Sequence, residues 1–376
     1  MLYFLYSEYE PNTAPANRAL AYLRELSRNA VKANAVFFFP DRKFSKLQEN
    51  LGSVKVTYMW EHLYINHPLL KYLSYLLYLV TFFFRLKKGD KVYMYGMNDV
   101  KGFFLKRRGI DVFFETTEHP EVSMGGSRLY KPSMNRYLEY ARRCSGMIVI
   151  STALRDFFVS HGVSAERVHV VNMTVDSKRF DGIEKSGVKE KYIAYCGTAS
   201  NNKDGVDNLI KAFALLHERQ PDVKLYIIGD APSSKDESNN LHLIDSLGVK
   251  DSVVFTGRIE TDKMPQVLKD AVALALARPD NKQAKYGFPT KLGEYLLTAN
   301  PVVVTSVGDI PLFLEDGKSA LIAPPGNPEL FAEKLNWAIE NPDKAKAIGE
   351  NGREVALRSF NAAVETRKLL DIMFSN

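Results

Sequence analysis

The sequence predicts an α/β protein made of two successive halves, each a parallel sheet flanked by helices. Three observations predict it. Short apolar runs alternate with amphipathic helical stretches. The alternation starts again near residue 191. The length, 376 residues, exceeds one ordinary domain and suits two.

The elements follow in order. LYFLYS (2–7) is a strand and 15–29 a helix. AVFFFP (35–40), KVYMYG (91–96), IDVFFET (110–116), MIVIS (147–151) and VHVVN (168–172) are further strands, with helices over 99–108 and 152–161. In the second half the strands are KYIAYCG (191–197), KLYIIG (224–229), VVFTG (253–257), VALALA (272–277), PVVVT (301–305) and ALIAP (320–324). Helices fall over 205–219, 238–247 and 262–270, and the last 45 residues or so are helical. The polar stretch VNMTVDSKRFDGIEKSG (171–187) lacks strong periodicity and reads as the connection between halves. Two Rossmann-like domains are expected, 1–175 and 176–359, with a terminal helix at about 360–376 packing back on the first. Ligands of such sheets sit beyond the carboxyl ends of the strands.

One run stands apart. LLKYLSYLLYLVTFFF (69–84) carries one charge and is followed by Arg85, Lys87 and Lys88. It is shorter than the ~20 apolar residues of a membrane span. Two readings stay open: a helix buried against the first sheet, and a helix lying partly in a bilayer interface.

Composition is 45% hydrophobic, 25% charged and 11% aromatic, which fits a packed globule and excludes a disordered chain. Cys144 and Cys196 form no Cys-x-x-Cys pair, so a reducing, cytoplasmic setting is expected. MLYFLY is too short for a signal peptide and has no basic segment before it. Residues 1–175 hold 24 Lys/Arg against 15 Asp/Glu, a balance of +9, while the rest of the chain is at −3. The basic half suits an anionic membrane surface, a phosphorylated acceptor or nucleic acid. No element interleaves basic residues with an aromatic platform, which argues against nucleic acid.

Three constellations sit at strand ends of the second half. In YGFPTKLGEYLLTANPVVV (286–304), Pro289 suits a first helical turn, where free N–H groups attract anions. Lys291 adds a charge for phosphate, and Glu294 lies one turn on along the same face. A carboxylate there could accept from ribose hydroxyls; a plain surface Lys/Glu pair is the alternative. In YCGTASNNKDGVDNLIKAF (195–213), a strand ends at Gly197, and a small polar loop carries Lys203 to a helix start. It matches neither GxGxxG nor GxxxxGK[ST]. In VVFTGRIETDKMPQVL (253–268), Arg258 closes a strand and could grip a phosphate bidentately. No Asp-x-Asp and no His/Cys cluster with ligand spacing occurs, so neither a metal nor another cofactor is expected.

Taken together these segments resemble family 4 glycosyltransferases of the GT-B fold, retaining enzymes that use nucleotide-sugar donors. The resemblance runs over about 147–370. It includes VIS (149–151), VVNMTVDSKRF (170–180), the Gly197–Lys203–Gly205 loop, FTGR (255–258), FPTKLGEYL (288–296) and PVVVTSVGDIPLFLEDGKSALIAPPGNPELFAEKL (301–335). It implies two Rossmann-like domains facing each other across a cleft and closing about 172–187. It also implies a donor diphosphate held by Lys203 and a neighbouring basic residue, with ribose held by Glu294. Gly197, Thr198, Arg258, Lys291, Ser306 and Gly308 complete the implied nucleotide site. Backbone amides near Ser306–Gly308 would help stabilise the leaving diphosphate. Tyr286, Phe288 and Pro289 lie in the donor-sugar vicinity.

Two positions depart from the family. Thr198 stands where an arginine is usual, and Tyr286 where the first of two glutamates is usual. This chain looks like the subset with Pro-Ser/Thr-Lys-x-x-Glu-Tyr, in which Lys291 would replace the missing arginine's charge. In the first half, His119 within ETTEHPE (115–121) occupies the position of an active-site histidine; a capping role is the alternative. The loop SEYEPNTAPANR (7–18), with Asn12, Thr13 and Pro15, would face the acceptor but lacks the family's Gly-Gly pair. His62, His67, His161, His169, His217 and His242 are read as structural.

The expected activity is transfer of a sugar from a nucleoside diphosphate to a glycan or lipid-linked acceptor, in the cytoplasm or peripherally at the inner membrane face. His119, Lys203 and Lys291 would be the catalytic residues. Two rivals remain: a sugar-nucleotide epimerase of the same fold, and an inactive nucleotide-sugar-binding module.

Overall fold

The structure, a computed structural model, describes residues 1–6, 13–38, 47, 50–58, 68–96, 99–106, 109–123 and 133–375. The first sheet holds β1 (Leu2–Tyr6), β2 (Ala33–Phe37), β3 (Val54–Tyr58), β4 (Lys91–Tyr95), β5 (Asp111–Thr116), β6 (Gly146–Val149) and β7 (Val168–Val170). Their order is β3-β2-β1-β4-β5-β6-β7. The second sheet holds β8 (Lys191–Cys196), β9 (Val223–Ile228), β10 (Val253–Gly257), β11 (Ala273–Leu276), β12 (Val302–Thr305) and β13 (Leu321–Ala323), in the order β10-β9-β8-β11-β12-β13. The pairings between these strands are parallel.

Parallel sheets are covered on both faces, so their central strands read as continuous apolar runs. This is why β4, β5, β8, β11 and β12 were visible in the sequence. β3 has no counterpart among the expected strands. It is an edge strand, VKVTY, with Lys55 exposed and Val56, Thr57 and Tyr58 half-buried. Helix Met134–Arg143 is likewise unanticipated. The helix expected over 99–108 is instead a single turn, Asp99–Gly102, running into a 3-10 turn at Phe103–Lys106.

The chain divides into two units. One comprises Met1–Asn172 with the segment from Ala362 onward, the other Met173–Asn361. The division falls at Asn172, not at 175. Residues 173–187 are not a free connection, because their apolar side chains pack onto the second unit: Met173, Val175 and Phe180 are buried. The Ser186 amide also donates to Asp270 at 2.7 Å. The expected terminal helix is Ala362–Phe374, and it packs against α1 (Ala14–Arg28), with Leu369 and Met373 in the same core as Leu23 and Leu26.

A buried ionic network closes the first unit at the carboxyl ends of its strands. Arg18 of α1 pairs with Glu115 of β5, and both are almost fully buried. Arg18 also donates to the carbonyl of Val171 at 2.9 Å and to that of Asn172. The Asn172 amide donates in turn to Glu365 of the terminal helix at 2.6 Å. Burial pushes the Glu115 carboxyl up, and Arg18 pulls it back only in part. Removing one member leaves the other buried without its ion-pair partner. Arg18→Met is therefore expected to destabilise the first unit by about 3–5 kcal/mol, read as a lower urea midpoint. A loss below about 1 kcal/mol, the scale of a surface pair, would contradict this account.

Candidate functional site

In the second sheet the strand order reverses between β8 and β11, and ligands of such folds bind at that point, beyond the carboxyl ends. Of the expected residues, Gly197 and Lys291 meet there. The chain leaves β8 at Gly197, passes Thr198, and enters a short helix, Asn201–Asp204, capped by the Ser200 hydroxyl. Gly205 follows at φ 68°. A Cβ at Gly205 would lie 2.0 Å from the Ala277 carbonyl, so only glycine lets this loop meet the end of β11.

Asp204 is the hub. It is 2% exposed and carries Lys291 as its ion-pair partner. Tyr195 Oη donates to it at 2.8 Å, and the Arg278 guanidinium lies 3.9 Å away. Burial pushes the Asp204 carboxyl up, but Lys291, Arg278 and Tyr195 outweigh it and hold the group below the usual aspartate range. The Lys291 side chain is 15% exposed. Its ammonium donates to Tyr195 Oη at 3.0 Å and sits 4.6 Å from that ring's centroid. Burial lowers its pKa from the ordinary lysine value more than Asp204 raises it. A Cβ at Gly197 would come within 2.4 Å of Lys291 Nζ, so the missing side chain is what lets the ammonium lie against the loop backbone.

Lys291 opens the helix Lys291–Leu297, one turn ahead of Glu294. Pro289 lies before the Thr290 N-cap and not within the first turn. Glu294 is half-buried and pairs with Arg179, from the 3-10 turn Ser177–Phe180; Arg179 also donates to the Thr261 carbonyl at 2.9 Å. Arg258, 76% exposed, pairs with Asp230 at 2.7 Å. Lys203 is half-buried, and its carbonyl accepts from Arg278 Nε at 3.1 Å. Cys196, at the end of β8, has its thiol pushed up to about 12 by burial.

Other expected residues are placed differently. The Ser306 amide donates to the Ala323 carbonyl at 2.9 Å and the Val307 amide to Thr305 at 2.9 Å. The chain there is still bonded to the sheet edge, so those two amides are not turned to a ligand as expected. Gly308 follows at φ 54°. Phe288 is buried against Phe313 and Phe360, with centroids 5.6 and 5.3 Å away. Pro289 is buried, Thr198 exposed and Tyr286 half-buried, with Lys285 Nζ 5.6 Å from the Tyr286 ring centroid.

In the first unit, His119 follows β5 and is buried. Its Nδ1 accepts from the Glu121 amide at 3.3 Å, and its ring meets Phe157 edge-on at 4.5 Å. That is the capping geometry. Thr13 caps α1 through an acceptor bond from the Ala16 amide, and Pro15 sits in its first turn. Asn12, His62 and His67 lie outside the described residues. Among the described residues no group of three or more His, Cys, Asp or Glu could hold a metal ion.

Sequence reasoning missed the partners: Asp204, Tyr195, Arg278, Asp230 and Arg179. Asp204 was in view, one residue after Lys203, but nothing local marks it as the counter-ion of a lysine 87 residues away.

The family profile for glycosyl transferases group 1 matches residues 176–355. MMP alpha-(1->4)-mannosyltransferase of Mycolicibacterium hassiacum is 26% identical over 262 residues, covering 65% of this chain and 61% of that protein. Mannosylfructose-phosphate synthase of Agrobacterium fabrum is 24% identical over 215 residues, covering 53% of this chain and 46% of that protein. The chain thus matches about half to three fifths of the length of these relatives. Anabaena Alr3699/HepE, solved in complex with UDP and glucose, superposes with a TM-score of 0.76 at 19% identity, over 100% of this chain and 99% of that one. Sucrose-phosphate synthase from Thermosynechococcus elongatus superposes at 0.74 and 14% identity, over 100% and 99%. These likenesses show the fold, two parallel-sheet Rossmann-like domains of the GT-B type. The residues that match the glycosyl transferases group 1 profile, 176–355, fall within the second unit of that fold.

Proposed function

We propose that the protein is a retaining glycosyltransferase of family 4, of the subset with the Pro-Ser/Thr-Lys-x-x-Glu-Tyr motif. It moves a hexosyl group from a nucleoside diphosphate to a glycan or lipid-linked acceptor, in surface polysaccharide or glycoconjugate synthesis. The observation that carries this reading is the Lys291 ammonium, held against the backbone at Gly197 by Asp204 at the reversal point of the second sheet. A cation fixed there meets a diphosphate without first having to be ordered. Glu294 lies one helical turn further on, where a ribose could follow its phosphates.

The donor belongs to the second unit, with Lys203 and Arg258 adding charge around the diphosphate. The first unit carries acceptor recognition, and its basic balance fits an acceptor presented at an anionic membrane surface. In the reaction the bond from the anomeric carbon to phosphate oxygen breaks. A bond from that carbon to the acceptor oxygen forms on the same face, and the acceptor's proton passes to the leaving phosphate oxygen. The side chains supply charge stabilisation to the leaving group, with no metal ion in the scheme. His119 would hydrogen-bond the sugar or tune the acceptor.

A second reading, an inactive nucleotide-sugar-binding module, is favoured by one observation: Lys291, Glu294 and Arg258 each hold a protein partner. Slow release of free sugar from a bound donor would separate the transferase from it.

Titration of UDP- and GDP-sugars by calorimetry is expected to show binding to one of them, weakened at least about tenfold by Lys291→Ala or by Glu294→Ala. No binding of either nucleotide class would sink the reading. Asp204→Asn makes a finer test. Without its counter-ion the Lys291 pKa falls further, so the ammonium loses its proton at lower pH. The affinity of the variant for UDP is then expected to fall as pH rises through the neutral to alkaline range, where the parent stays flatter. Parallel pH profiles in two folded proteins, checked by thermal melting, would show that Asp204 does not set the charge of Lys291.

A further inference from the structure

The apolar run singled out in the sequence forms α2 (Pro68–Arg85). Its described side chains divide between two faces. Leu79, Phe82 and Phe83, with Leu86 just beyond, are buried in the first unit. Phe82 packs edge-on to Tyr3 of β1 at 5.2 Å and to Phe38 at 5.7 Å, and Phe83 to Phe104 at 5.7 Å. On the other side Leu73, Leu77 and Phe84 are 63%, 61% and 67% exposed, and Leu70 and Leu76 are exposed as well. At 3.6 residues per turn, Leu70, Leu73, Leu77 and Phe84 fall within about 60° of one another, opposite the buried set. Four large apolar side chains in one exposed stripe are a contact surface, not scattered exposure.

Charge identifies what the stripe meets. From Pro68 to Lys88 the sequence holds no aspartate or glutamate. Arg85, Lys87 and Lys88 are all exposed at the end of the stripe. A second copy of the same face would match the apolar stripe but offer the cations no carboxylate. An anionic lipid headgroup layer complements both features, apolar side chains below and cations at the level of the phosphates. The helix cannot span. Its back face is fixed in the protein core, and among the described residues no helix is long and apolar enough to cross a membrane.

We propose that α2 is a docking surface for an anionic lipid bilayer. It lies flat at the headgroup boundary, with Leu70, Leu73, Leu77 and Phe84 inserted and Arg85, Lys87 and Lys88 against the phosphates. The inference does not depend on sugar transfer by the second unit, and its test reads neither nucleotide binding nor turnover.

The full chain is sedimented with vesicles of phosphatidylcholine alone, and of phosphatidylcholine with about one third phosphatidylglycerol, at low and high salt. Binding is expected to the anionic vesicles and to weaken with salt. Leu73→Gln/Leu77→Gln/Phe84→Ser removes only exposed side chains, so it should melt like the parent, and its partition is expected to fall at least about tenfold. Arg85→Gln/Lys87→Gln/Lys88→Gln should remove the preference for phosphatidylglycerol. Absence of binding to either vesicle overturns the proposal, as does binding that the triple apolar variant leaves intact. So does a concentration-dependent dimer, seen by analytical ultracentrifugation, that the apolar variant abolishes, since the stripe would then be covered by a second copy.

Discussion

Asp204 ties three separate elements of the second unit together. A carboxylate that is 2% exposed has no water to screen it, so it must be met by cations and hydroxyls or give up its charge. It is met from three directions. Tyr195 comes from within β8, Arg278 from just past β11, and Lys291 from the start of helix Lys291–Leu297. The loop after β8, the end of β11 and the Lys291 helix are thereby tied at one point, where the strand order reverses. Gly205 lets the loop touch the Ala277 carbonyl, and Gly197 leaves room for the ammonium. An ion pair of this kind adds little net stability compared with an apolar replacement. What it fixes is where a positive charge stands.

The first unit solves a similar problem with different residues. Arg18 meets Glu115 and the carbonyls of Val171 and Asn172 where β5 and β7 end. Glu365 then takes the Asn172 amide, so the terminal helix is held to the last residue before the chain passes into the second unit. In both units one buried ion pair, Arg18–Glu115 or Lys291–Asp204, sits near the carboxyl ends of strands. There the ladder stops, backbone carbonyls lose their strand partners, and a buried guanidinium or ammonium finds acceptors already in place. The same ends are where these folds accept ligands, so the groups that close the architecture and those offered to a ligand are neighbours.

Much of the architecture was legible because central parallel strands must be apolar on both faces. KYIAYC and VVVT can hardly be read otherwise. VKVTY was not legible, because an edge strand with one covered face needs no continuous apolar run. The positions of Lys291 and Glu294, one turn apart on a helix, were legible from spacing alone. Their partners were not. Arg179 lies 115 residues from Glu294, and Asp204 lies 87 from Lys291. Such pairings follow from the fold as a whole and leave no local pattern. The stretch 173–187 misled for a related reason. Its few apolar residues, Met173, Val175 and Phe180, keep no helical or strand period, yet each finds a place in the second unit.

The run at 69–84 shows a different limit. Periodicity separates a buried face from an exposed one only when the exposed face is polar. In α2 both faces are apolar, so the sequence suits a core helix and an interfacial helix equally well. The two readings are not exclusive once the helix is placed. Leu79, Phe82 and Phe83 fill the core beside β1, while Leu73, Leu77 and Phe84 remain outside it. Exposing large apolar side chains in water is unfavourable by roughly 25 cal/mol for each Å² left uncovered, and the fold itself needs only the inner face. The outer stripe therefore has no explanation within the described structure, and the cations that border it, Arg85 at the helix end and Lys87 and Lys88 just beyond it, are exposed as well.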